Sequence, residues 1–421
     1  MIHLLFATNS LGSQMKLLLT GCMLAGSFLA SSQNFRAHLR QLDSVYSIQS
    51  QQAEKRIDTF LKNNKASKIS LRSDGSIMVL VDISSSGVPI YIKSFNSGVA
   101  TSLGVDQLRN SGSLGLNLEG LGIKVGIWDE GKVRNDHIEL VGRVTQIDNP
   151  PAFNTHSTHV MGTILATGIN ATGKGMAPKA TALAFDFMSD VSEMLSQAEP
   201  DQTSLILSNH SYGTVSGWDL DGTQWTWFGD PGISQTKDWK FGFYNSTSNL
   251  YDDIAYNAPY YLIVKAAGND ANDTGDGSRP QDCDPFDCIP TNGVAKNILT
   301  VGAVKKLAGA YTGPADVEIT AFSSLGPADD GRIKPDLVAP GQSVLSLSSN
   351  STGAYTTLSG TSMSTPATTG TLALLQELHK NLNGGNLMKS ATLKALAIHT
   401  TREAGPSSGP DYKFGWGLLD A

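Results

Sequence analysis

The segment IKVGIWD at residues 123–129 decides the fold class. Its apolar side chains fall on both faces of an extended strand, as expected of a strand buried in a parallel sheet. Helical segments alternate with this strand and with four similar ones, namely ATALAFDF at 180–187, SLILSNHS at 204–211, YYLIVKAAGN at 260–269 and NILTVGAV at 297–304. Such alternation predicts an α/β domain built on a doubly wound, mostly parallel sheet.

A smaller unit of different character precedes this domain in residues 34–110. QSQQAEKRIDTFLKNN at 49–64 predicts an amphipathic helix whose apolar face consists of Ala53, Ile57, Phe60 and Leu61. KISLRSDGSIMVLVDI at 68–83 predicts a hairpin that turns at Ser73–Gly75, and GVPIYIKSF at 87–95 predicts another strand. We therefore predict a small α+β unit ahead of the larger domain.

The N-terminus carries a targeting pattern. MKLLLTGCMLAGSFLASSQ at 15–33 combines one lysine, a short apolar run and a cleavage site of small residues, which is typical of a secretory signal peptide. The run is short for a membrane span, so we prefer a removed signal to an anchoring helix. LTGC also resembles a lipoprotein cleavage box, which leaves lipid attachment at Cys22 as an alternative. The sequence predicts export to the periplasm, the cell surface or the medium.

The overall charge argues against several classes of partner. The chain has 421 residues, 16% of them charged, and a formal net charge of −7, so neither nucleic acid nor an anionic membrane is an expected partner. No apolar run beyond the N-terminal segment reaches membrane length, and we expect no stable membrane insertion. We expect the exported protein to be a monomer.

Two of the three cysteines lie close together. Cys283 and Cys288 occur in DCDPFDC, whereas Cys22 would leave with the signal. A close pair in an exported chain predicts a small-loop disulfide, with two free thiols as the alternative.

Polar residues stand at the ends of the predicted elements, where a doubly wound sheet places its site. Asp129 ends the IKVGIWD strand, and Asn269 ends the YYLIVKAAGN strand. His156 lies at the start of NTHSTHVMGTILATG, whose apolar residues have helical spacing. Ser362 lies in GTSMSTPA, ahead of an apolar helix. An acid, an amide, an imidazole and a hydroxyl are thus predicted to face one crevice.

These four groups are what acyl transfer to a serine requires. Ser362 would attack a carbonyl, His156 would remove its proton, and Asp129 would fix the tautomer of the imidazole. Asn269 would donate to the developing oxyanion together with the N–H of Ser362. The alternative for the hydroxyl residues of GTSMSTPA is simple capping of the helix, with Pro366 in its first turn.

With these residues in place, the chain resembles the subtilisin-like serine proteases, or subtilases. Three catalytic boxes occur in the family order, as VGIWDEG around Asp129, HSTHVMG at 156–162 and GTSMSTP at 360–366. AAGN at 266–269 is similar to the oxyanion box of the family, and GMAPKA, FSSLGP, KPDLVAPG and GWGLLDA also match. The resemblance covers about residues 105–421.

The resemblance implies both an organisation and an activity. It divides the chain into a signal peptide at 1–32, a prodomain at 33–104 and a peptidase domain at 105–421. It implies a secreted serine endopeptidase that acts on protein or peptide substrates through an acyl-enzyme on Ser362 and needs no cofactor for its chemistry. The alternative is a catalytically silent subtilase fold used for binding, which is disfavoured because all four catalytic positions carry suitable residue types.

Two positions depart from the family pattern. Ser157 follows the catalytic histidine, where the family commonly has glycine, and Glu130 follows the catalytic acid, where the family usually has Ser or Thr. We expect Ser157 to pack and at most to slow or shift the chemistry. If Glu130 faces the triad, its negative charge would favour the protonated imidazole of His156.

Rival assignments are weaker. His159 lies close enough to be mistaken for the base, but the family pattern gives that role to His156, and His137 is expected to be structural. Ser359 and Ser364 are expected to cap or pack. The other common serine-hydrolase pattern, G-x-S-x-G followed by the acid and the histidine, fails because the acid and the histidine come first here.

Substrate contacts and metal binding are less constrained. Ser211, Tyr212 and Gly213 are similar to the subtilase strand that pairs with substrate backbone, and the alternative is an ordinary buried strand end. The Trp-rich insert VSGWDLDGTQWTWFGDPG at 215–232 either rims the cleft or forms a local core. The carboxylate-rich loop NDANDTGDGSRPQDCDPFDC at 269–288 could hold a structural calcium ion, but solvated surface is the preferred interpretation.

Overall fold

The computed structural model describes residues 10–64, 67–71, 77–94, 101–109, 112–199, 201 and 205–421. The α-helices within these residues are α1 Ser10–Asn64, α2 Val105–Leu108, α3 Thr155–Leu165, α4 Asp190–Gln197, α5 Ser246–Asn257, α6 Thr361–Leu382 and α7 Ser390–His399. The strands are β1 Ile69–Leu71, β2 Ile77–Ile83, β3 Pro89–Ser94, β4 Lys124–Asp129, β5 Val144–Gln146, β6 Thr181–Asp186, β7 Leu207–His210, β8 Tyr212–Thr214, β9 Trp218–Asp221, β10 Gln224–Trp227, β11 Leu262–Ala266, β12 Leu299–Val304, β13 Leu337–Pro340, β14 Val344–Leu347 and β15 Tyr355–Leu358.

Seven parallel strands form the central sheet, in the order β13-β12-β11-β7-β4-β6-β5. The five strands predicted from the sequence all lie in it, and β5 and β13 complete it. Every residue of β11, β12 and β13 is buried, which explains why these segments are largely apolar on both faces, whereas the equally buried β7 carries Ser208, Asn209 and His210. The prediction of an α/β domain with a parallel sheet is confirmed.

The direction of winding changes beside β4. From β4 the chain first builds β5 and β6 on one side, and it then returns to build β7 and β11 to β13 on the other side. The carboxyl ends of β4 and β7 therefore border the crevice where a doubly wound sheet binds its ligands. Asp129 ends β4, and Ser211 follows β7 directly.

Helix α6 runs through the interior although many of its side chains are polar. Thr365, Thr369 and Thr371 are fully buried, and each hydroxyl donates to the backbone carbonyl four residues earlier. Buried hydroxyl groups satisfied within their own helix do not carry the cost of an unpaired polar group. Helix α3 approaches β14 closely at Gly162. A Cβ atom at this position would lie 2.3 Å from Leu347 Cγ, so a larger residue would clash.

The N-terminal unit comprises the later part of α1 and strands β1 to β3, which join β8 in an antiparallel sheet of order β1-β2-β3-β8. The predicted helix at 49–64 is the last part of α1, and the predicted hairpin strands are β1 and β2. The predicted turn at 73–75 lies outside the described residues, as do Phe95 of the predicted strand at 87–95 and residues 96–100, 110 and 111. Helix α1 packs against α4 and α5.

The fourth strand of the antiparallel sheet comes from the larger domain. β3 pairs with β8 in a register that sets Lys93 opposite Gly213. The N-terminal unit thus adds a strand to the segment that the sequence predicts to bind substrate.

Two further sequence predictions concern the N-terminal segment and the cysteines. Residues 10–32 of the predicted signal segment form the start of α1, and residues 1–9 lie outside the described part. Among the described residues, none of the helices combines the length and hydropathy that crossing a membrane requires. Cys283 and Cys288 form a disulfide, as predicted.

Candidate active site

Asp129 and His156 form a buried pair at the end of β4. Asp129 is fully buried, and its Oδ1 accepts a hydrogen bond from His156 Nδ1 at 2.5 Å. His156 is the second residue of α3, whose N-cap Asn154 accepts a hydrogen bond from the backbone N–H of Ser157. A carboxylate on Nδ1 fixes the tautomer in which Nδ1 carries the proton and Nε2 is unprotonated.

Ser362 is the second residue of α6 and is fully buried. Its Oγ donates to the backbone carbonyl of Ser211 at 2.8 Å. The strand order places Ser211 and Asp129 on neighbouring strand ends, so hydroxyl, imidazole and carboxylate border the same crevice. The first-turn N–H groups of α6 have no intrahelical acceptors and favour negative charge at this position.

Simple capping does not explain the hydroxyl residues of GTSMSTPA. The N-cap of α6 is Gly360, which makes no side-chain capping bond. Ser364 Oγ and Thr365 Oγ1 instead donate to the carbonyl of Thr361 at 2.9 and 2.7 Å. Pro366 is the sixth residue of α6, so the expectation that it lies in the first turn is wrong.

Asn269 lies beside the start of α6, just beyond β11. Its Oδ1 accepts hydrogen bonds from the backbone N–H and the Oγ1 of Thr361, at 2.9 and 3.0 Å. These two bonds orient the side-chain amide, and no described residue accepts from its Nδ2. Asn269 is partly exposed, so Nδ2 is available to a ligand in the crevice.

Ser211 follows β7, and Tyr212 and Gly213 begin β8, the strand that pairs with β3. Tyr212 is 1% exposed, and its hydroxyl donates to Asp190 Oδ2 at 2.7 Å, so the aromatic ring belongs to the interior. The backbone of Gly213 faces β3. A peptide could therefore contact this segment through its backbone edge, but not through the ring of Tyr212.

A buried lysine bonds to the backbone of this segment. Lys265 on β11 is fully buried, its Nζ donates to the carbonyl of Tyr212 at 3.0 Å, and it lies 4.2 Å from the centre of the Tyr212 ring. Burial lowers the pKa of Lys265 to about 8, although the nearby Asp190 opposes the shift. Burial likewise raises the pKa of Asp190. Sequence reasoning missed Lys265, and the available signal was a lone charge within the apolar strand LIVKA.

Glu130 and Ser157 are both engaged near the triad. Glu130 is 6% exposed, and its Oε1 accepts from Asn154 Nδ2 at 2.6 Å. Ser157 is fully buried, accepts from the N–H of Gly131 at 3.1 Å and lies 3.1 Å from Asp129 Oδ1. Ser157 packs as expected, and Asn154 is a supporting residue that sequence reasoning missed.

The two rival histidines are buried, and each places Nε2 against a backbone carbonyl. His159 is fully buried, and its Nε2 contacts the carbonyl of Val344 at 3.1 Å. Burial lowers the pKa of His159 to about 3, which keeps the ring neutral. His137 is also buried, with Nε2 2.9 Å from the carbonyl of Ala354.

The Trp-rich insert contacts the loop that carries the disulfide. Trp218 is 3% exposed and donates to the carbonyl of Pro280 at 3.1 Å, while Trp227 donates to Asp282 at 3.2 Å. Phe241 packs against the two disulfide cysteines. Among the described residues, no three His, Cys, Asp or Glu side chains are grouped so that they could hold a metal ion.

The chain is similar in sequence to several known serine proteases. AprX of Bacillus subtilis (strain 168), a serine protease, is 26% identical over 319 residues, which cover 66% of this chain and 63% of AprX. An intracellular serine protease of Paenibacillus polymyxa is 29% identical over 271 residues, covering 62% of this chain and 68% of that protein. The serine protease/ABC transporter protein tagD of Dictyostelium discoideum is 22% identical, and the match covers 65% of this chain but 19% of tagD.

The chain thus spans less than two thirds of AprX and a fifth of tagD. Among solved structures, that of the prenylagaramide maturation protease PagA superposes with a TM-score of 0.47 at 21% sequence identity. The match covers 71% of this chain and 90% of PagA. The model of the subtilase family matches residues 63–417, which is most of the chain. The chain belongs to the subtilase family.

Proposed function

We propose that this protein is an exported serine endopeptidase that hydrolyses peptide bonds through an acyl-enzyme on Ser362. The observation that carries the proposal is the buried hydrogen bond between Asp129 and His156, beside the crevice that Ser362 also borders. Protein and peptide substrates follow from the family, and the pattern at residues 15–33 supports export.

The mechanism follows from the hydrogen bonds of each group. Asp129 holds Nδ1–H of His156, so Nε2 accepts the proton of Ser362 Oγ as that oxygen attacks the peptide carbonyl. The protonated imidazole then gives its proton to the leaving amine, and the acyl group remains on Ser362. Water, deprotonated by the same Nε2, hydrolyses the ester and restores the serine.

Asn269 and the N–H of Ser362 are the proposed oxyanion donors. Thr361 holds Asn269 Oδ1 through two hydrogen bonds, which leaves Nδ2 preorganised before substrate arrives. A preorganised donor stabilises the charge that develops in the transition state without reorganisation at that moment.

We propose that substrate pairs with Ser211–Gly213 as an added strand, since β3 already pairs with β8 in this way. By occupying that edge, the N-terminal unit at 33–104 would act as a prodomain that blocks the peptidase domain at 105–421. Cleavage within 96–113, between β3 and the sheet domain, would release it.

A fluorophosphonate probe tests the function directly. Purified wild-type protein should be labelled on Ser362 and should cleave a denatured protein substrate, whereas Ser362→Ala should do neither. A folded wild-type protein that neither reacts nor cleaves would favour the silent binding fold instead.

A further inference from the structure

The two positions that depart from the family pattern are joined through a third residue, Asn154. Glu130 follows Asp129 at the end of β4, and Ser157 follows His156 in the first turn of α3. The sequence separates them by more than twenty residues, yet two partly buried hydrogen bonds of Asn154 connect them.

The hydroxyl of Ser157 has one proton and two acceptors within reach. Asp129 Oδ1 lies 3.1 Å away, and Asn154 Oδ1 lies 3.3 Å away. Asn154 Oδ1 already accepts from the backbone N–H of Ser157, at 3.0 Å. The carboxylate is closer and charged, and charge-assisted hydrogen bonds are the stronger ones, so the proton goes to Asp129. The N–H of Gly131 then donates to the Ser157 oxygen from the other side.

Glu130 forms a second connection between the same two elements. Its Oε1 accepts from Asn154 Nδ2 at 2.6 Å, and Asn154 caps the helix that carries His156. The loop after Asp129 is therefore joined to α3 by two contacts, a buried one from Gly131 to Ser157 and a partly buried one from Asn154 to Glu130.

The carboxylate of Asp129 depends on these contacts for its orientation. Oδ1 accepts from His156 Nδ1, from the N–H of Glu130 and from Ser157 Oγ. Oδ2 is buried, and no described residue donates to it. The orientation of the Asp129 carboxylate therefore depends on the donors to Oδ1. Among the described residues, Ser157 is the only hydroxyl that donates to Oδ1.

We propose that Ser157 is a positioning residue for Asp129 and that Glu130 and Asn154 hold Ser157 in place, so that both departures from the family pattern form one support. The effect on catalysis rests on the proposed peptidase function. A hydroxyl beside the acid is here supplied from the histidine helix, at the position where the family commonly has glycine.

The first test is Ser157→Ala, with Thr163→Val as the matched control. Thr163 is a buried hydroxyl residue of α3 that bonds to the carbonyl of His159, away from Asp129. Ser157→Ala should lower kcat roughly tenfold with KM unchanged, because one charge-assisted hydrogen bond to the acid is lost. The acidic limb of the rate profile should move to higher pH, since a carboxylate with fewer donors holds a protonated imidazole more strongly. Thr163→Val should do neither.

The second readout does not need peptidase activity. In protein with labelled histidine, the low-field NMR resonance of the His156 Nδ1 proton should shift in Ser157→Ala and stay in place in Thr163→Val. If wild type is inactive and this resonance still shifts, the proposed function fails and the positioning role stands. If the resonance stays in place and kcat falls less than twofold, the positioning role is overturned.

A double-mutant cycle tests the link to Glu130. Residues of one hydrogen-bond network have non-additive effects, so Glu130→Ala with Ser157→Ala should cost less than the product of the single losses. Losses that multiply within about twofold would overturn the connection. If Ser157→Ala does not fold, Ser157→Gly, which restores the residue common in the family, takes its place in both tests.

Discussion

Ser211 and Ser362 exchange two hydrogen bonds, in which each hydroxyl donates to the backbone carbonyl of the other residue at 2.8 Å. Pro366 bears on one of these bonds, the one from Ser211 Oγ to the carbonyl of Ser362. In a regular helix the N–H of residue 366 would donate to the carbonyl of Ser362, and proline has no N–H. Ser211 Oγ supplies the missing donor, so the helix that carries the nucleophile is tied directly to the proposed substrate segment.

The first prediction is that Ser362 and His156 act together as parts of one catalytic triad. To attack, the hydroxyl proton of Ser362 must leave the carbonyl of Ser211 and pass to His156. Ser362→Ala and His156→Ala should each remove nearly all peptidase activity, and the double variant should cost little more, because residues that act as a unit are non-additive. Steady-state kinetics on a peptide substrate give the three values. Ser359→Ala, at an exposed serine nearby, should remain near wild type. Losses that multiply would contradict the triad.

The second prediction concerns the oxyanion donor. Asn269→Ala should lower kcat by roughly 10²–10³ with little change in KM, because the amide acts on the transition state. Thr361→Val removes one of the two bonds to Asn269 Oδ1 and should lower kcat by a smaller factor. An increase in KM without a loss of kcat would show that Asn269 binds substrate in its ground state.

The third prediction concerns the N-terminal unit. Wild-type protein expressed with its N-terminal segment should be secreted with a new N-terminus near residue 100, whereas Ser362→Ala should retain the unit from about residue 33. The reason is that only an active enzyme can remove a unit whose strand β3 covers β8. N-terminal sequencing of both products gives the answer. Active wild type that retains the unit would make it a permanent domain.

The fourth prediction concerns Glu139, which is fully buried. Burial favours the protonated carboxyl, but hydrogen bonds from Thr167, Tyr355 and the backbone of Ile169 and Asn170 outweigh burial and lower its pKa to about 2. A depressed carboxyl pKa stabilises the fold above the ordinary value of 4.5, and this stability is lost as the pH falls toward 2.

Glu139→Gln should therefore be less stable than wild type by about 1–2 kcal/mol at neutral pH, since hydrogen bonds to a charged acceptor are lost. The difference should shrink between pH 4.5 and 2 in urea titrations. Glu318→Gln is the control, because Glu318 forms an exposed ion pair with Lys305. A difference that persists at the lowest pH would assign the effect to packing.

The fifth prediction concerns the buried Lys265. Its pKa is lowered by burial from 10.5 to about 8, so between these values the unfolded chain binds more protons than the folded protein. The stability of wild type relative to Lys265→Met should rise with pH across that window. Thermal unfolding of both proteins from pH 7 to 10.5 measures it, and a constant difference would contradict the depressed pKa.

The sequence by itself determined the parallel sheet and the candidates for the site. Strands such as β11 are apolar on both faces, a pattern that burial in a parallel sheet imposes locally. Asp129 and Ser362 could be named because each lies at an element end inside a short motif. The three-residue β5 was missed, because so short a strand leaves no periodic pattern.

Only the tertiary structure decided how these residues are supported. The contacts of Ser157 with Asp129, of Lys265 with Tyr212 and of β3 with β8 each join segments far apart in the chain. Glu130 could have faced solvent or the triad, and the position of Asn154 directs it to the N-cap of α3. Local periodicity reports which face of an element is buried, whereas the partner of a buried polar group depends on how distant elements pack, and no short stretch of sequence encodes that packing.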